Sequence, residues 1–212
     1  MNAIDFILDL DASRIPEHAR HHATRALIDT LGVAAAATQT DNSRILRDFA
    51  STAFGAPGTA AQLLFDGRAV SLPGAGFANS GSIDSLDAHD GQKGTKGHMG
   101  VVVIPSLFAF ADGQTPVSGR EFMTRLVIGY EIATRAGLAL HASVSDYHTS
   151  GAWNALAAAA IGARALKLDA HWTRHALGIA EYNGPRSQMM RCIDHPTMLK
   201  DGATWGGFTG IA

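Results

Sequence analysis

The stretch His148-Thr-Ser-Gly-Ala-Trp-Asn-Ala-Leu-Ala-Ala-Ala-Ala-Ile-Gly-Ala-Arg-Ala-Leu166 decides how the chain folds. Thr149 and Ser150 offer hydroxyl caps where a helix would begin, and the residues that follow suit a helix as far as Leu166. The alanine and glycine content of this helix favours close approach of neighbouring helices, so a core of helix packed on helix is expected. The stretch falls short of the roughly 20 apolar residues needed to cross a bilayer, and Asn154 and Arg164 interrupt it.

Helical signals continue on both sides. Residues 16–37 begin with a proline at the first helical position and place Ala19, Ala23, Leu27, Leu31 and Ala34 on one face. Asp41 or Ser43 can cap a second helix, stopped after Phe54 by Gly55 and Pro57. Asp66-Gly67 between residues 61–65 and 68–72 signals one small hairpin. Beyond Pro73 a helix is expected toward Asp87, and an apolar helix over residues 101–111. Ser118-Gly-Arg-Glu121 is a capping box opening a long helix to about Leu140, and Asp169 caps another to about Tyr182. Trp205-Gly-Gly-Phe-Thr-Gly-Ile-Ala212 reads as the start of a helix with no stop signal, so the sequence is expected to be a fragment. The expected fold is all-α, one helical domain over residues 1–212 with a minor β hairpin.

Of the 212 residues 46% are hydrophobic and 17% charged, and the net charge is −2. That balance supports a substantial core and lacks the basic surface of a nucleic-acid binder. Cys192 is the single cysteine, so the chain builds no internal disulfide, no Cys-rich zinc site and no iron–sulfur ligand set. The N-terminal residues carry acidic groups where an export signal carries basic ones. A soluble, cytoplasmic protein with no membrane partner is expected.

Against this apolar background, Asp84-Ser-Leu-Asp87-Ala-His89-Asp90-Gly-Gln-Lys93-Gly-Thr-Lys96-Gly-His98-Met-Gly100 gathers three carboxylates, two lysines and two histidines between two apolar segments. Such a concentration points to substrate handling; a solvated loop is the plainer alternative. His148 lies just ahead of a helix, where an imidazole can serve as acid or base, or simply as a helix-start residue. Lys200, in a short approach to a helix start, opposes the helix dipole yet suits a substrate carboxylate; an exposed lysine is the alternative. His89, Asp90, His98 and His148 could in principle ligate a metal, but the spacing matches no metal motif and Lys93 and Lys96 would repel a cation, so no metal site is expected. Residues 91–97 lack the Gly-Lys-Ser/Thr ending of a phosphate loop.

Taken in order, these pieces resemble the MmgE/PrpD family, which includes 2-methylcitrate dehydratase, cis-aconitate decarboxylase and iminodisuccinate epimerase. The resemblance is carried by Phe77-Ala-Asn-Ser80, Asp84-x-x-Asp87-x-x-Asp90, His98-Met-Gly-Val-Val-Val-Ile-Pro105, Gly129-Tyr-Glu131, Tyr147-His-Thr-Ser150, Ala176-Leu-Gly-Ile-Ala180 and Met198-Leu-Lys200. The sequence departs from the commoner pattern where Met99 follows His98 in place of proline, and where Lys93-Gly-Thr-Lys96 is inserted. The resemblance implies cofactor-free chemistry on di- or tricarboxylates, a homodimer, and a smaller α+β lid domain with further catalytic residues that have no counterpart here. It places His98, His148 and Lys200 at the active site with Asp87 as the site aspartate and Asp90 as a competing match. Dehydration leads as the expected reaction, with decarboxylation or epimerisation as variants and a non-catalytic helical interaction domain as the rival class. His148 is then the acid or base at carbon, and His98 with Asp87 protonates a leaving hydroxyl. Lys200 holds a carboxylate, with Lys96, Arg186, Asp90 and His89 as further substrate-binding candidates.

Overall fold

The computed structural model describes residues 2–56, 58–113, 116–194 and 200–212. Pro57, expected to help stop the second helix, and residues 195–199, which include the Met198-Leu199 part of the family pattern, lie outside them.

The described chain is all-α with one minor hairpin. In order it forms α1 (Ala3–Asp9), a short 3-10 turn (Ala12–Arg14), α2 (Glu17–Ala37), α3 (Asp41–Ala53), β1 (Ala60–Gln62), β2 (Ala69–Ser71), α4 (Leu72–Asp84), α5 (Gly100–Asp112), α6 (Gly119–Ser143), α7 (Gly151–Ala165), α8 (Ala170–Asn183), α9 (Met190–Asp194) and α10 (Ala203–Ile211). Most helix starts are where the sequence signals put them. The Ser118 and Asp169 side chains accept from the N–H groups of Glu121 and Trp172, as the expected caps do. The cap of α3 is Thr40, whose hydroxyl accepts from the Ser43 N–H, one residue ahead of the expected Asp41. The hairpin pairs antiparallel with Ala61 opposite Val70, and Gly67 takes the left-handed conformation (φ 88°) that its turn requires.

Helix α7 is the hub. It is buried nearly all round and packs against α5, α6, α8 and α10. Trp153 and Ile161 join Val103, Ile104, Leu107 and Leu126 in the largest core cluster. The alanines and glycines matter because they let backbones touch. A Cβ on Gly206 of α10 would lie 2.5 Å from the carbonyl oxygen of Gly151, so α10 can cross the start of α7 only with glycine at this position. Helices α4 and α5 carry apolar or small residues on every side and are almost wholly buried, as uniformly apolar helices must be.

The N-terminal helix α1, capped locally by Asn2, whose side chain accepts from the Asp5 N–H, is also held from a distance. Arg164 at the end of α7 donates to the carbonyl oxygens of Ile7, Leu8 and Leu10, and to the Glu121 carboxylate at 3.0 Å. An arginine that looked like an interruption of an apolar helix thus satisfies the last carbonyls of α1. Among the described residues no helix is long and apolar enough to cross a membrane.

Candidate active site

The charged cluster sits where α4 ends and α5, α7 and α10 begin. Helix α4 delivers Asp84 in its last turn, and the chain then turns sharply through Asp87, which holds a left-handed backbone (φ 51°). The following loop, closed by a bridge between Gln92 and Gly97, returns His98 to the start of α5. Lys200 and Asp201 enter from the approach to α10.

These elements bring together an alternating set of charges. The Lys200 ammonium lies 3.2 Å from Asp87 Oδ1 and 3.8 Å from Asp84 Oδ1. His98 Nε2 lies 3.4 Å from the same Asp87 oxygen, and His89 Nε2 lies 3.8 Å from Asp84. The His89 and His98 rings stack obliquely with centroids 4.3 Å apart. Asp87 is half exposed, whereas the side chains of Asp84 and His89 are buried.

Burial drives the electrostatics. It pushes the Asp84 carboxyl well above the usual range, a shift that neighbouring Asp201 reinforces and Lys200 opposes. It pushes His89 down to about 3, so this imidazole is neutral at physiological pH. Burial would also raise Asp87, but Lys200 and the two histidines hold it below its ordinary value. Lys200 would be lowered by burial; the surrounding carboxylates of Asp84, Asp87 and Asp201 instead keep it above the usual lysine range.

Of the eight candidates drawn from the sequence, Asp87, His89, His98 and Lys200 share this cluster. His148 reaches it through its neighbours: Thr149 donates to Asp201 at 3.1 Å, and the Ser150 hydroxyl accepts from the His98 N–H at 3.1 Å. The buried His148 ring itself sets Nδ1 3.0 Å from the Asp146 carbonyl and packs beside His141. Asp90 directs its carboxylate away from the cluster, accepting from Gly100 N–H at 3.0 and 3.2 Å, and only its backbone carbonyl meets His98. Lys96 is exposed with a left-handed backbone (φ 53°), and its carbonyl accepts from the Tyr147 hydroxyl. Arg186 is paired with Glu181 at 2.7 Å and lines a separate hollow with Leu140 and Trp153.

Three residues join the site that sequence reasoning had not singled out. Asp84 was visible as one carboxylate of the cluster, and only its burial at the end of an apolar helix sets it apart. Asp201 accepts from the Ala203 N–H at 2.6 Å, capping α10 beside Lys200. The Tyr147 phenol, which donates to the Lys96 carbonyl, is raised by burial and by the nearby charges of Asp201 and Asp87. Asp87, His89 and His98 also offer ligand atoms within 4.8 Å of one another, a spacing a metal ion could bridge, although the Lys200 ammonium already occupies the face of Asp87.

A family model described as the MmgE/PrpD N-terminal domain matches residues 3–203. The chain is also similar to the cis-aconitate decarboxylase-like protein oryM of Aspergillus oryzae, at 34% identity over 92 residues. That alignment covers 39% of this chain and 19% of the fungal protein, so the chain spans only a minor part of that relative's length.

Proposed function

The chain belongs to the MmgE/PrpD family, and from that premise we propose that it carries acid–base groups of a lyase acting on a di- or tricarboxylic acid, with dehydration as the lead reaction. The observation that carries this reading is the arrangement around Asp87, whose one carboxylate oxygen is shared by an ammonium at 3.2 Å and an imidazole Nε2 at 3.4 Å. A carbanion next to a carboxylate needs a base at carbon, a cation for the growing enediolate charge and an acid for the leaving group. Lys200 supplies the cation, and His98, its Nε2 beside Asp87, supplies the acid.

In the proposed dehydration His148 takes the proton from the carbon next to the substrate carboxylate. Its Nδ1 faces the Asp146 carbonyl, which only accepts, so Nε2 holds the free lone pair. The electron pair of the broken C–H bond forms the double bond, the C–O bond breaks, and the departing hydroxyl takes a proton from His98 to leave as water. Lys200 moves from Asp87 toward the substrate carboxylate as negative charge builds there. In this reading Asp90 and His89 support the site rather than touch substrate, while Arg186, engaged with Glu181, stands apart from it. A homodimer with a lid contributed elsewhere in the whole protein belongs to the same proposal.

Decarboxylation is the second reading, favoured by the similarity to the cis-aconitate decarboxylase-like fungal protein. There the bond to a carboxylate carbon breaks, carbon dioxide leaves, and His148 returns a proton to the carbanion. Carbon NMR separates the two across a panel of di- and tricarboxylic acids: water loss turns two saturated carbons into alkene carbons and keeps every carboxylate, whereas decarboxylation removes one carboxylate carbon as carbon dioxide. If no acid in the panel turns over or exchanges its α-proton, the proposed activity is wrong.

A further inference from the structure

His98 is held by groups that lie outside the charged cluster. Its backbone N–H donates to Ser150 Oγ, its carbonyl accepts from Asn154 Nδ2 at 2.6 Å, and its ring Nδ1 lies 2.6 Å from the carbonyl oxygen of Asp90. A carbonyl oxygen only accepts, so the 2.6 Å contact calls for a proton on Nδ1, while the Asp87 carboxylate, 3.4 Å from Nε2, competes for it in the neutral ring. Free neutral histidine prefers the opposite tautomer, with the proton on Nε2. Something in the fold must therefore keep the Asp90 carbonyl in place.

That role falls to the side chain of the same residue. Both carboxylate oxygens of Asp90 accept from the N–H of Gly100, so Asp90 spans His98, with its carbonyl on the ring and its carboxylate on the backbone two residues beyond. Gly100 is required at this junction. A Cβ there would lie 2.6 Å from Asp90 Oδ1, 2.6 Å from Thr30 Oγ1 and 2.7 Å from the Tyr130 hydroxyl, because three oxygens from the loop, α2 and α6 converge on its α-carbon. The Tyr130 phenol, raised by burial and then by the Asp90 charge, stays protonated beside the carboxylate.

We propose that Asp90 is a positioning residue: anchored to Gly100 N–H with the Tyr130 hydroxyl beside it, it presses its carbonyl against His98 Nδ1 and leaves Nε2 as the one nitrogen that exchanges protons with substrate. This rests on the reading of His98 as a site residue. The carboxylate acts as a strut, which explains why an acidic group two residues from Gln92 is withheld from the polar face it would otherwise join.

The tautomer can be read without any substrate. Protein labelled with 15N-histidine is recorded in two-bond 1H–15N correlation spectra at a pH where His98 is neutral, with the His98 signals assigned by loss in His98→Gln. The wild-type ring is expected as the Nδ1–H form. Asp90→Ala should raise the ratio of Nε2–H to Nδ1–H by about fivefold, the change expected when one net hydrogen bond is lost. Asp90→Asn, whose amide oxygen can still accept from Gly100, should restore the wild-type ratio, and Tyr130→Phe should shift it in the direction of Asp90→Ala. A wild-type ring carrying its proton on Nε2 overturns the proposal outright, whatever the variants do. So does an Asp90→Ala protein that keeps its circular dichroism and the wild-type ratio; if that variant fails to fold, an unchanged ratio in Tyr130→Phe overturns it instead. An Nδ1–H wild-type ring in a protein that turns over no acid would defeat the lyase reading and leave this one standing.

Discussion

Replacing Lys200 by methionine should destabilise the fold in a way that depends on pH. The substitution keeps most of the aliphatic stem and removes the ammonium from between Asp87 and Asp84, at 3.2 and 3.8 Å. The Asp87 contact is half exposed and screened, so its loss costs under about 1 kcal/mol. The Asp84 contact differs, because that carboxylate is only 2% exposed. At an effective dielectric of about 20, opposite charges at this separation attract by about 4 kcal/mol, and the partial exposure of Lys200 brings the net loss to about 2 kcal/mol. Burial, then Asp201 and Asp87, raise the Asp84 carboxyl while Lys200 opposes them. A carboxyl raised in the folded state contributes stability that is full below its unfolded pKa, near about 4, and is lost as pH rises through the folded value. Lys200 offsets that loss, so Lys200→Met should lower stability by about 2–3 kcal/mol near pH 8, and by less than about 1 kcal/mol near pH 4, where Asp84 is protonated. Urea denaturation followed by circular dichroism at both pH values measures this. A loss equal at the two pH values, or none near pH 8, would refute the view that Lys200 neutralises a buried carboxylate.

Asp84→Asn removes the buried charge while keeping its shape, so it should stabilise the chain by about 1–2 kcal/mol near pH 8, a gain that vanishes near pH 4 in the same assay. On an acid found to turn over, His148→Ala should lower kcat by about 10²–10⁴ with little change in KM, and near-normal kcat would remove His148 from the proton-transfer step. Lys200→Met should raise KM and also lower kcat, since the ammonium binds the substrate carboxylate and meets the charge that builds there in the transition state. Arg164→Ala should cost about 2–4 kcal/mol and speed hydrogen exchange first over residues 3–9; Arg164→Lys should restore little, because one ammonium cannot reach three carbonyls and a carboxylate.

Much of the helical framework was legible because its signals are local. Ser118 with Glu121 and Asp169 ahead of Trp172 define helix starts by chemistry that needs no tertiary partner. The bundle core was legible from the alanine and glycine of α7 for the same reason. What escaped is long-range. Helix α1 is fixed by Arg164, more than 150 residues away in sequence, and the cap of α3 fell to Thr40 because three adjacent polar residues compete for that position. In the candidate site, the sequence showed which residues carry charge but not which way each side chain turns. Asp87 and Asp90 look equivalent as carboxylates three residues apart; the sharp turn at Asp87 puts one beside His98 Nε2, and the Gly100 N–H captures the other. Arg186 looked available because nothing local announced Glu181 as its partner.

The positions of the four aspartates follow different rules, and the difference separates structural from chemical roles. Asp90 accepts from the first N–H of α5 and Asp201 from the first N–H of α10, where unpaired donors and the positive helix end favour an anion. Those two would stabilise almost any helix start. Asp87, half exposed, is held ionised by an ammonium and two imidazoles. Asp84 obeys none of these rules. It stands in the last turn of α4, where the helix dipole opposes a negative charge, and neither of its buried oxygens has a hydrogen-bond partner among the described residues. A leucine or asparagine there would cost less, so the sequence carries a local penalty that Lys200 offsets. The chain thus spends stability at a buried carboxylate that, with Asp87 and Asp201, holds the charge on Lys200, which is the pattern expected where chemistry rather than folding sets the choice of residue.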